Sequence, residues 1–313
     1  MFDWREYGNG IFAFDSGYIR PTLAAIHLIV EKNRVAFIDT GTNNSLPNAM
    51  GALKKLGLDG ESVDYVILTH IHLDHAGGAG AMMQAFPKAT LIVHPRGGRH
   101  MAEPSKLVAA VSAVYGEDYV QQVYGKIMPV SQERIVEADD GFQLSLAGRK
   151  LICLDTPGHA RHHICIVDDR TGGIFTGDMF GLSYRELDVD GHQFIFPTTS
   201  PSQFDPEAMH NSIDRLLQLN PPVMYATHYG QLHDVNELAS ALRRRLNAVI
   251  EMAVAERYAG ESRHERIKAA MTRYVLSEIR NHNCKLSDKK LLEIWETDIE
   301  LNTQGMEVWL DSK

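Results

Sequence analysis

The sequence predicts an α/β fold with a C-terminal helical extension. Three observations carry that prediction: short β-rich apolar runs recur through the first part of the chain, helical patterns lie between them, and after about residue 234 helix periodicity continues alone. The strand runs are residues 11–14, 25–30, 35–38, 65–68, 90–93, 151–154, 164–167 and 174–176. Helical patterns fall at 48–56, 79–86 and 206–219, the last with Met209, Ile213, Leu216 and Leu217 on one face.

Beyond residue 234, Leu238, Leu242, Leu246, Val249 and Ala253 make one apolar stripe, and Gly260 ends that segment. Ser262-Arg263-His264-Glu265 has the form of a capping box opening a second helix, with Ile267, Met271, Tyr274, Val275 and Ile279 as its stripe. A third helix is expected over 289–299 after the cap Ser287. These patterns predict two parts, a domain over 1–233 and a helical extension over 234–313 packed on it. If the chain forms a homo-oligomer, those helices are the expected contact. No repeat or low-complexity linker interrupts the chain.

Composition narrows the function class. With 44% hydrophobic and 23% charged residues the chain reads as globular, and its net charge of −9 is concentrated in the first part. Residues 1–233 carry 18 Lys+Arg against 26 Asp+Glu, and 234–313 carry 13 against 14. No basic footprint for nucleic acid is visible, so a small-molecule substrate is the expected partner. Cys153, Cys165 and Cys284 form no metal or disulfide pattern, and the first two sit in apolar runs as ordinary buried thiols. Met1-Phe2-Asp3-Trp4-Arg5-Glu6 lacks a leader pattern, and no run is long enough for a membrane span; a cytoplasmic location is the expectation.

The chemistry concentrates after the run at 65–68, in Thr69-His70-Ile71-His72-Leu73-Asp74-His75-Ala76-Gly77-Gly78. In extended chain, side chains two apart point the same way, so His70 and His72 converge on one cation. Asp74 and His75, at the turn into a helix, face a second. Gly77 and Gly78 permit a tight turn and close backbone approach. Imidazole suits zinc, iron and similar metals, and Asp adds a hard oxygen donor.

This run resembles the H-x-H-x-D-H signature of the metallo-β-lactamase superfamily, and other segments match that family in its order. Phe37-Ile38-Asp39-Thr40-Gly41 resembles its first motif, whose Asp organises the site. Asp155-Thr156-Pro157-Gly158-His159, Thr176-Gly177-Asp178 and Thr227-His228-Tyr229-Gly230 resemble its later ligand motifs. The resemblance covers roughly 1–233. It implies a four-layer αββα sandwich and two divalent metal ions, zinc first, with iron or manganese as alternatives. One ion would be held by His70, His72 and His159 and the other by Asp74, His75 and His228, with Asp178 bridging. Two cations sharing a water bring its pKa from 15.7 towards ~7 and supply hydroxide at neutral pH. Asp74 is the expected catalytic carboxylate, orienting that nucleophile and moving its proton. His163 is expected to support the site, His162 to be exposed or supporting, and His94 and His100 to be structural or on the surface.

Asp178 stands where one group of true β-lactamases has Cys, and His72 stands where flavodiiron oxygen reductases have a carboxylate. The resemblance therefore points to a hydrolase of a small acyl substrate: a thioester as in glyoxalase-II-like enzymes, a lactone, or another ester. Alternatives are a phosphodiesterase on the same site, a mononuclear iron sulfur dioxygenase, or a metal-binding regulatory protein with little turnover. The segment 180–204, with Tyr184, Phe194, Phe196 and Pro197, is either an acyl-pocket wall or ordinary core.

Overall fold

The computed structural model describes residues 3–313; Met1 and Phe2, where the leader reading begins, lie outside the described residues. Two compact units are present, and their chain segments interleave. Among the described residues the first comprises everything up to Asp155, with His162–Gly177 and Pro221–Gln231, and the second Thr156–Arg161, Asp178–Asn220 and Leu232–Lys313.

In the first unit, one sheet holds β1 (Trp4–Gly8), β2 (Ile11–Asp15), β3 (Ala25–Glu31), β4 (Arg34–Ile38), β5 (Val63–Ile67), β6 (Thr90–Val93) and β7 (Ile135–Glu137), in spatial as in chain order. The other holds β8 (Gln143–Leu146), β9 (Arg149–Asp155), β10 (Ile164–Asp168), β11 (Ile174–Gly177), β12 (Met224–Ala226) and β13 (Gly230–Leu232). β1 to β4 pair antiparallel and β4 to β7 parallel; β8 to β11 pair antiparallel, and β11 pairs parallel with β12. The helices of this unit are α1 (Leu46–Lys55), α2 (Leu73–Ala76), α3 (Ala79–Ala85), α4 (Pro95–Ala102), α5 (Ser105–Tyr115) and α6 (Glu117–Tyr124).

Period-two alternation explains why the first sheet reads as continuous apolar runs. Leu28, Val35, Phe37, Val66, Leu91 and Val93 face α1 and α3, joining Ala49, Leu53, Met82 and Phe86. Their neighbours Ile29, Ala36, Ile38, Ile67 and Ile92 face the second sheet, meeting Leu151, Cys153, Ile164, Ile166 and Phe175. Both faces are buried, as expected where crossovers cover a parallel sheet. Cys153 lies in this inter-sheet core, where burial pushes its thiol up to about 12. A buried ion pair clips the edge: Arg149 donates from Nε and Nη2 to the two oxygens of Asp168, at 2.8 and 2.6 Å.

The second unit carries α7 (Pro206–Gln218), α8 (Val235–Ala255), α9 (Arg263–Asn281) and α10 (Asp288–Asp311). The predicted stripes of α8 and α9 are buried at Leu238, Leu242, Leu246, Val249, Ile267, Met271, Val275 and Ile279. The capping box does not form: Ser262 is itself in a helical turn, so its hydroxyl donates back to the Ala259 carbonyl and caps nothing. Ser287 does cap α10, accepting from Lys290 N. That helix runs twelve residues past 299, because Asn302, Thr303 and Gly305 break the apolar stripe yet are buried. Asn302 accepts from Thr199 N at 2.6 Å and donates to the Pro197 carbonyl at 3.1 Å; a side chain at Gly305 would overlap the Thr199 carbonyl. Tyr184, Phe194 and Phe196 are fully buried against Trp295, so they are core residues of this unit and not a pocket wall. Among the described residues no helix is long and apolar enough to cross a membrane.

His27 gives this fold a pH dependence. Its ring is buried among Tyr7, Phe175 and Tyr225, and burial lowers its pKa from 6.5 to about 4, with the Asp39 charge opposing the shift. Above pH 6.5 the imidazole is neutral in both native and unfolded chains. Between 6.5 and 4 the unfolded chain takes up a proton that the native chain refuses, so stability falls as pH falls, by about 3 kcal/mol over the interval. Denaturant unfolding at pH 7 and pH 4.5 should show a smaller loss for His27→Leu than for the wild type; equal losses contradict the assignment.

Candidate metal centre

The carboxyl ends of the parallel strands supply the site. Asp39 follows β4, Thr69 and His70 lie just past β5, and Thr227 and His228 just past β12. Open α/β sheets present their functional loops at such ends. Leu68 N donates to the Ile92 carbonyl and Ile164 N to the Thr69 carbonyl, holding the chain extended as far as the first histidine. His72 keeps extended angles (φ −63°, ψ 148°) as it enters the single turn of α2, and its carbonyl accepts from the amides of His75 and Ala76.

That turn is locked from beside. Thr40 donates from its amide and its hydroxyl to the His75 carbonyl, each at 2.7 Å, and Gly78 N donates to the Gly41 carbonyl. A Cβ on Gly78 would lie 2.6 and 2.8 Å from the carbonyl oxygens of Thr42 and Thr40. Its φ is −84°, so close approach and not a left-handed backbone requires glycine here.

The buried carboxylate of Asp39 orders the donors. It accepts from Thr69 N at 2.8 Å, Thr69 Oγ1 at 3.0 Å, Thr227 Oγ1 at 2.9 Å and His75 Nδ1 at 2.8 Å. The Thr69 hydroxyl has one proton, spent on Asp39, so it accepts from His70 Nδ1, 3.1 Å away. His228 Nδ1 donates to the Leu23 carbonyl at 2.7 Å. All three imidazoles thus carry their proton on Nδ1 and keep a lone pair on Nε2, the tautomer that leaves Nε2 able to bind a metal.

The lone pairs converge. His70 Nε2 lies 2.9 Å from His72 Nδ1. His75 Nε2 and His228 Nε2 lie 3.5 and 3.4 Å from Asp74 Oδ2, and the donor atoms of Asp74, His75 and His228 all fall within 4.8 Å of one another. Two imidazole nitrogens and a carboxylate at this spacing fit a divalent cation of the zinc or iron type. In the second unit His159 Nδ1 faces the Thr198 carbonyl at 3.4 Å, while its Nε2 lies 3.5 Å from Asp178 Oδ2. The same second-partner arrangement is therefore repeated there.

A profile described as the Metallo-beta-lactamase superfamily matches residues 19–228. The chain belongs to the metallo-β-lactamase superfamily. Its two sheets and their helices are those of the superfamily fold, and the C-terminal helices follow the matched residues. The metallo-beta-lactamase fold-containing protein ST1585 of Sulfurisphaera tokodaii is 28% identical over 71% of this chain and 79% of its own. A metallo-beta-lactamase family protein of Thermus thermophilus superposes with a TM-score of 0.69 over 98% of this chain and 95% of its own, at 21% identity. A hydroxyacylglutathione hydrolase of Xanthomonas campestris is 26% identical over 62% of this chain and 55% of its own.

Other histidines fall around the candidate site. His163 is buried with its ring 5.1 Å from that of His70, a supporting position as expected. His162 is not exposed: it is 7% accessible, its ring stands 5.7 Å from that of His72, and its Nδ1 accepts from Ile71 N. His94 caps α4 by accepting from Arg96 N and pairs with Asp155, a structural role. Sequence reasoning passed over Thr69 and Thr227, though each directly precedes a histidine of the candidate site; the Leu23 carbonyl left no side-chain signal at all.

Substituting Asp39→Asn puts an amide donor among four donors and should weaken metal binding about 10- to 100-fold. Competition titration with a chromophoric chelator reads this, and wild-type affinity in the variant would contradict the role given to Asp39.

Proposed function

We propose that the chain is a metal-dependent hydrolase of a small acyl substrate, a thioester, lactone or ester. The observation that carries this reading is the common tautomer of His70, His75 and His228, fixed by Asp39, Thr69 and Leu23 so that Nε2 is the donor. In the proposed centre His70, His72 and His159 hold one cation, Asp74, His75 and His228 a second, and Asp178 stands between. Covalent continuity supports joining the two sets: Asp178 follows the last residue of β11, and His159 lies four residues past β9. The name of the hydroxyacylglutathione hydrolase relative supports an acyl substrate. Zinc is the proposed metal, with iron and manganese accepted by the same donors.

When bound, such a metal pair lowers the pKa of a shared water towards ~7 and polarises the substrate carbonyl. The chain's residues supply the rest. Asp39 is committed to four donors and 1% exposed, so its role is to orient the groups around it. Asp74 differs: its side chain is 21% exposed, against 0% for His75 and 7% for His228. It is the carboxylate placed to orient the attacking water, take its proton and return it to the leaving group.

A panel of thioesters, lactones, phosphodiesters and a persulfide, assayed on the zinc- and iron-loaded chain, tests the reading. Turnover is expected on acyl substrates, with kcat/KM falling at least about 100-fold in Asp74→Asn while folding is kept. Turnover confined to phosphodiesters or to persulfide with oxygen, or full activity in Asp74→Asn, contradicts it.

A further inference from the structure

α5 is apolar over most of its circumference, through Leu107, Val108, Ala109, Ala110, Val111 and Ala113, yet none of its described side chains is fully buried. A helix of this composition normally sits inside a core. Here it packs on α6, and Val120 and Tyr124 of α6 close over Leu73, the residue between His72 and Asp74. Val108, Val111 and Tyr18 pack on the same cluster.

Tyr18 comes from the loop at 16–24 that joins β2 to β3, the loop whose Leu23 carbonyl holds His228. Its hydroxyl lies 2.9 Å from that of Tyr124, the two rings stack at 5.8 Å, and Tyr119 meets Tyr124 edge-on at 6.4 Å. Asp15 accepts from the amides of Gly17 and Thr22 to hold the loop, in which Ile19 and Thr22 take φ of +52° and +57°. β-branched residues rarely adopt that conformation, and such strain is concentrated at functional sites. Ile19 is 54% exposed at the tip.

We propose that Tyr18 and the α5–α6 hairpin form the specificity wall of the hydrolytic site, taking up the apolar chain of the acyl group. The identity of the reacting group rests on the hydrolase reading above; the wall rests on the packing around Leu73. Val108, Val120 and Ile127 also line a cavity of about 980 Å³ bordered by this hairpin, with Glu117, Asp118 and Lys126 among its charged members. Its size is that of a small-molecule site, and its apolar side chains are interleaved with polar ones.

Straight-chain carboxylates from acetate to octanoate test the wall without turnover, by isothermal titration calorimetry on the metal-loaded full chain. Affinity should rise about threefold per added methylene, most of the roughly fourfold that full burial of a methylene gives. Val108→Asp and Tyr18→Ala should flatten that rise. So should Ala109→Trp, which fills the cavity from an exposed helix position and does not threaten folding. Tyr258→Ser, at a 92% exposed site in the second unit, should leave the rise unchanged. A flat series in the wild type, or an undiminished rise in Val108→Asp and Ala109→Trp, overturns the proposal. A rise that the wall variants abolish, in a chain that hydrolyses no acyl substrate, upholds the wall and removes the hydrolase reading alone.

Discussion

Asp39 carries a buried carboxylate that accepts four hydrogen bonds, from Thr69 N, Thr69 Oγ1, Thr227 Oγ1 and His75 Nδ1. An ionised group 1% exposed is tolerated only when its lone pairs are satisfied, and these four donors satisfy them. The donors come from the end of β5, the turn of α2 and the end of β12, so one side chain ties three otherwise separate segments to the end of β4. It also decides protonation. His75 is fixed directly, and His70 through the Thr69 hydroxyl that Asp39 consumes. The ligand geometry follows from one carboxylate in this position and the parallel strand order that brings the segments to it.

The strand order has its own cause. Residues of β3 to β6 alternate between two apolar faces, so a slip of one residue would exchange the helix-facing and sheet-facing sets. Register is thereby specified, and with it the level at which each ligand loop leaves its strand. Glycines complete the fit where backbone closely approaches the groups around the site. Gly177 has φ +50°, and a Cβ there would lie 2.6 Å from Thr69 Oγ1 and 2.7 Å from His163 Nε2.

The central strands, the helices α1, α3 and α7, and the ligand run were legible because apolar periodicity and motif spacing are local. Edge strands were not. β1 is half exposed and carries Arg5 and Glu6, and β7 and β13 are three residues long, so neither gives a periodic signal. α5 hides differently, since an apolar stretch without a polar face has no amphipathic signature, and its partners Tyr18 and Leu73 lie far away in sequence. The capping box failed because a preceding helical turn had already placed Ser262. Tyr184, Phe194 and Phe196 show the reverse limit: aromatic composition alone does not separate a pocket wall from a core, and the Trp295 contacts make them core.

The chemistry of the chain therefore reduces to where the ordered Nε2 atoms point. Anomalous diffraction at the zinc edge, from crystals of the full chain grown with zinc, tests that most directly. The account predicts two peaks, one touched by His70, His72 and His159 and one by Asp74, His75 and His228, with Asp178 reaching both. No peak at these side chains, or a peak bound through the Nδ1 atoms of His70, His75 or His228, would contradict it.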